Sequence, residues 1–175
     1  LCAKYLTPLY LFFWVMPMPD GFQLERHLAL GQWLLFLPLA LPLVMIQLSA
    51  EELAFRGYLH SKLADKYRHT ENWMGIPSEI FGLLHYSPDM AGENAWMLVL
   101  WSGLFGMAAA DLTARSGTLG AAIALHFINN VFAILFAAPQ GEFDGTALYT
   151  FPLALDAPGL AGTLLPLELM MTLCA

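Results

Sequence analysis

The stretch LPLVMIQLSAEELAFRGYLH, residues 41–60, sets two adjacent carboxylates, Glu51 and Glu52, inside an apolar run, with Arg56 one helical turn later. Charged side chains at membrane depth are costly, so they face a protein interior or a wet cavity and mark function. Glu52, Arg56 and His60 follow the spacing i, i+4, i+8 and form one stripe, which predicts an intrahelical Glu52–Arg56 ion pair. Glu51 is rotated by about 100° and shares its face with Gln47, Phe55 and Tyr58. It has no basic residue at helical spacing, and such a carboxylate suits a general base.

The rest of the chain has the composition of a membrane protein. Of 175 residues, 58% are hydrophobic and 12% charged, and the mean hydropathy is +0.60. Soluble domains are nearer half apolar and a quarter charged, so the expected class is all-α: a polytopic transmembrane helix bundle. The length suits one domain over 1–175, with its motif core at 51–130. A net charge of −7 leaves no basic footprint for nucleic acid. Cys2 and Cys174, near opposite ends, suggest neither a disulfide framework nor a thiolate metal site.

Apolar periodicity and turn residues predict helices near 3–16, 28–66, 77–87, 94–114, 118–138 and 147–173, six to seven membrane helices according to whether Pro152, Pro158 and Pro166 break the last in two. Because the chain begins with Leu, the first apolar run reads as a clipped membrane helix and the whole as truncated at its N-terminus. Lys62, Lys66, Arg68 and Arg115 fall in loops on one side, and Asp20, Glu25, Asp89, Glu93, Glu142 and Asp144 on the other. The positive-inside rule makes the basic side cytoplasmic. With interfaces set near His60, Ile76 and Gly117, the side chains of Glu51, His85 and His126 each lie roughly 13 Å inward at 1.5 Å per residue.

Two further segments carry chemistry. In SEIFGLLHYSPD, residues 78–89, Phe81 and His85 are i, i+4 neighbours with Ser78 a turn earlier; the apolar run before Pro88 is too short to span, so this helix is expected to end inside the bundle. In GTLGAAIALHFINN, residues 117–130, Gly117 and Thr118 read as a helix stop and an N-cap, and His126 and Asn130 project from one face, with Asn129 beside them. Taken alone, His85 reads equally as a hydrogen-bonded core histidine, and His126 with Asn130 as an interhelical pair. Trp96 and Trp101 read as lipid-facing or interfacial residues.

EELAFRG at 51–57, FGLLH at 81–85 and HFINN at 126–130 together resemble the CAAX protease and bacteriocin-processing (CPBP, or Abi) family of intramembrane glutamate endopeptidases, the type II CAAX prenyl endopeptidase-like proteins. The pattern is EExxxR, then FxxxH, then HxxxN or HxxxD. That resemblance implies Glu51 with His85 activating a water, His126 with Asn130 stabilising the oxyanion, and Glu52 and Arg56 supporting the site. It implies a multi-pass protein of the cytoplasmic membrane of a bacterium, open to the cytoplasm, acting on a peptide or protein substrate at the bilayer. No cofactor is expected. A zinc site built from Glu51, His85 and His126 is the competing enzyme reading, although HExxH spacing is absent. A non-catalytic bacteriocin-immunity or membrane scaffold protein is the alternative of another class, and a transporter a third, disfavoured by the lack of an internal repeat.

Overall fold

The structure, a computed structural model, describes residues 23–141 and 144–158. A short strand, β1 (Glu25–Arg26), leads into a continuous helix, α1 (Leu30–Lys66), which is π-helical over Leu53–His60. At 1.5 Å per residue its 37 residues reach about 55 Å, well beyond a hydrocarbon core of about 30 Å. After a π-helical turn (Glu71–Gly75) comes α2 (Ile76–Leu83), then the long helix α3 (Ala95–Ser116) and α4 (Gly120–Asn130), whose π-helical continuation is Val131–Phe136. Strands β2 (Ala137–Pro139) and β3 (Tyr149–Phe151) complete a three-stranded sheet of order β1-β3-β2, antiparallel between β1 and β3 and parallel between β3 and β2.

Local chemistry explains the boundaries. Pro77 sits in the first turn of α2, where its missing N–H costs nothing. Gly117 ends α3 at φ +68, a left-handed conformation that glycine adopts without a Cβ penalty, and the Thr118 hydroxyl accepts the backbone N–H of Gly120 at 2.9 Å. Among the described residues, two helices are long and apolar enough to cross a membrane, Leu30–Lys66 and Pro88–Ser116, and Gly120–Phe136 is a shorter apolar helix. Leu34, Leu35, Leu39, Leu43 and Ile46 are all exposed along α1, the surface of a helix whose solvent is hydrocarbon.

Helices α1 and α4 run antiparallel. Trp33 Nε1 donates to the Leu135 carbonyl at 2.7 Å at one end, and a Cβ on Gly57 would meet Leu119 at 3.4 Å near the other. Helices α2 and α3 pack backbone to backbone: a Cβ added at Gly82 would lie 2.6 Å from the Val99 carbonyl oxygen and 3.0 Å from Gly103 N. Between these helix pairs lies a core of Phe81, Phe105 and Leu125, with Phe55 and Trp101 packed against it.

The predicted helices at 28–66, 77–87, 94–114 and 118–138 are present, and α2 stops short as its length required. The helix predicted at 3–16 lies outside the described residues, as does most of that at 147–173. Within the latter, residues 149–151 form strand β3 and 155–158 are turns, so the all-α description needs amending by a small sheet. Its strands are only two or three residues long and stand beside helix ends rather than in alternating apolar patterns, so periodicity carries no sign of them.

Candidate active site

Glu52 and Arg56 form the predicted pair, fully inside the protein: Arg56 Nη1 donates to Glu52 Oε1 at 3.0 Å. The same oxygen accepts His126 Nδ1 at 2.8 Å, joining α1 to α4 across 74 residues of sequence. A carboxylate paired with a guanidinium can only accept, so Nδ1 of His126 carries a proton and Nε2 is the ring atom left for other work. That nitrogen lies 3.8 Å from Glu51 Oε2. Glu51 is partly exposed and accepts Gln47 Nε2 at 3.1 Å through its other oxygen.

Phe81 is the hub of the apolar side. Its ring lies beneath the Arg56 guanidinium at 4.6 Å and meets the rings of Phe55, His85, His126 and Phe105 at centroid separations of 5.2, 4.7, 5.9 and 6.4 Å. A cation over an aromatic face is attracted by the ring quadrupole, which offsets part of the cost of burying Arg56. Glycine at 106 leaves the room: a Cβ there would lie 3.0 Å from Arg56 Nη2 and 3.2 Å from Ser78. His85, just past the end of α2, has its Nδ1 2.8 Å from the Phe81 carbonyl, so that nitrogen donates and Nε2 is free to face outward.

A cavity of about 60 Å³ lies against these groups, large enough for more than one water. Glu51, His85, His126 and Asn130, from three separate helical segments, all line it, together with Gln47, Asn129, Phe81 and Phe105. Glu52 and Arg56 do not line it; they stand behind His126. Ser78, predicted on the face of His85, instead bonds back to the Met74 carbonyl at 2.7 Å. Among the described residues, no three His, Cys, Asp or Glu side chains are grouped to hold a metal ion; His85 and His126 each engage Nδ1 within the protein, which leaves Nε2 of both rings available.

Two wall residues come from α3, which carries none of the motifs. Ser102 is buried and Trp101 half-buried, and both line the cavity. Trp101 is thereby a correction to its reading as a lipid-facing or interfacial residue, whereas Trp96 is exposed. No periodic polar signal on α3 announces this role; a lone serine beside a tryptophan in an apolar helix looks like packing.

With this geometry in place, the comparisons with known proteins give the lineage. Residues 32–132, more than half of the chain, match the family described as Type II CAAX prenyl endopeptidase Rce1-like, and the chain belongs to that family. It is also 28% identical over 131 residues to the uncharacterised protein YyaK of Bacillus subtilis (strain 168). That alignment covers 73% of this chain and 42% of YyaK, so the chain spans less than half the length of this relative. No solved structure matches.

Proposed function

We propose that this chain is an intramembrane endopeptidase that hydrolyses a peptide bond of a membrane-associated or prenylated, CAAX-type substrate. The observation that carries the reading is the shared cavity, with Glu51, His85, His126 and Asn130 on its wall. Membership of the endopeptidase family supports the same chemistry.

In the proposed reaction Glu51, oriented by Gln47 and assisted by His85 Nε2, takes a proton from a water, and the hydroxide adds to the scissile carbonyl carbon. The oxyanion so formed is met by donors on the cavity wall, His126 Nε2 and the Asn130 amide. Donation from Nε2 needs the doubly protonated ring, with Glu52 at Nδ1 and Glu51 beside Nε2 as its counter-charges. The C–N bond then breaks, and the proton held by Glu51 goes to the departing amine. Glu52 and Arg56 fix the His126 ring from behind. The basic residues Lys62, Lys66, Arg68 and Arg115 argue for a multi-pass arrangement in the cytoplasmic membrane of a bacterium, with the cavity reached from the cytoplasm.

The test is cleavage of a farnesylated peptide ending in a CAAX sequence by the purified protein in lipid vesicles. Glu51→Gln is isosteric and keeps the Gln47 contact available, so cleavage is expected to fall by about 10²- to 10⁴-fold with folding intact. Undiminished cleavage by that variant excludes Glu51 as the base. A biological activity that survives it, such as protection against a bacteriocin, would point to the non-catalytic alternative.

A further inference from the structure

Trp101 Nε1 and Ser102 Oγ are both buried without a hydrogen-bond partner, and both residues line the cavity beside Glu51 and His126. A buried donor left unmade costs about 1–3 kcal/mol, so two adjacent examples on one wall call for an explanation. Neither is a packing accident of a loose region. Trp101 stacks against Phe105 at 5.8 Å, and Ser102 precedes Gly103, whose backbone N lies 3.0 Å from where a Cβ on Gly82 would stand. An indole N–H is a donor only, so whatever occupies the cavity beside it, water or peptide, must offer it an acceptor. A peptide substrate brings such acceptors in its main-chain carbonyls, and an extended peptide needs them bound because its backbone leaves the water that had solvated it.

We infer that Trp101 and Ser102 form a main-chain-binding subsite of the cavity, donating hydrogen bonds to carbonyl oxygens of the substrate peptide next to the scissile bond. The inference rests on the endopeptidase reading above and gives α3 a part in it. The two residues take no proton and touch no reacting atom; they hold the peptide in register with Glu51. Recognition through the main chain does not depend on side-chain identity, so this subsite would serve peptides of differing sequence.

The test uses Trp101→Phe, which keeps an aromatic ring and removes the N–H, and Ser102→Ala. Affinity for a fluorescently labelled farnesylated CAAX peptide is measured by anisotropy in the Glu51→Gln background, and cleavage in the otherwise unaltered protein. Each change is expected to weaken binding and lower kcat/KM about three- to tenfold. The unliganded protein should melt no lower with Ser102→Ala, because an unpaired buried hydroxyl has been removed. A merely structural role would give the opposite pattern, lost stability with binding unchanged, and would overturn the inference. If the unaltered protein binds the peptide but does not cleave it, the endopeptidase reading fails, while the binding measurements still decide the subsite. Absence of binding by every form overturns both.

Discussion

Along α1, the residues from Leu30 to Ile46 turn leucines outward, whereas Val44, Leu48, Glu52, Arg56 and His60 form a single buried stripe. The same helix thus exposes its leucines and hides Glu52 and Arg56, with Glu51 partly exposed and the exposed charges Lys62, Asp65 and Lys66 confined to its last turns. In water that arrangement would be inside out. It makes sense where the surrounding solvent is hydrocarbon, which rewards exposed Leu35 at 81% and Leu39 at 66%. The buried stripe changes character between Leu48 and Glu52, from apolar packing to a charged network. What makes the charged part tolerable is mutual pairing: Glu52 Oε1 accepts from both Arg56 and His126. The comparison teaches that the buried stripe carries the charged network that holds His126, while the outward-facing leucines mark the surface that spans.

The largest effect should come from unpairing the charged half. Arg56→Ala leaves Glu52 buried with His126 as its remaining hydrogen-bond partner and empties the space over Phe81. Breaking a buried pair from one side costs about 3–5 kcal/mol, because the surviving Glu52 charge loses its guanidinium and keeps only His126. Thermal unfolding in detergent should show a loss of that order. A loss below about 1 kcal/mol would mean that the pair is solvated and that the buried half of the comparison is mistaken.

The apolar run of α1 was long enough to fix its length from sequence, and 28–66 became Leu30–Lys66. The spacing of Glu52 and Arg56 announced their ion pair for the same reason: both partners sit on one helix, where geometry is local. The link from Glu52 to His126 was not legible, because it depends on how α1 and α4 pack, and no local pattern encodes a contact 74 residues away. Three motif segments were nonetheless recognisable as belonging together because EExxxR, FxxxH and HxxxN stand in the order of the family they resemble. Trp101 and Ser102 lack that contrast, and their place on the cavity wall emerges only when Gly82 and Gly103 bring α2 and α3 together. The short sheet was illegible for a related reason: its strands are held by neighbours distant in sequence, such as β1 against β3.

A milder break targets the point where the buried stripe is still apolar. Leu48 is fully buried against the protein. Leu48→Ala should cost about 2 kcal/mol, the lower end of the range for large-to-small core changes, since hydrocarbon rather than water is the competing environment. The loss comes from contacts with fixed neighbours that cannot close the gap. Unfolding of the variant in the same detergent measures it directly.

The smallest effect is the sharpest test of the comparison, because it uses the same substitution nine residues earlier. Leu39 is exposed on the spanning half of α1, and Leu39→Ala should change stability by no more than about 0.5 kcal/mol. An acyl chain touches this side chain in the folded state and touches it equally when the helix is inserted but unpacked. The lost contact therefore appears on both sides of the equilibrium and cancels, whereas at Leu48 it appears on one side alone. The pair of leucines shares residue type, helix and helix propensity, so the difference between their costs isolates packing. Equal costs at the two positions would show that Leu39 is covered by protein rather than lipid, and the outward-facing leucines would then be an interface.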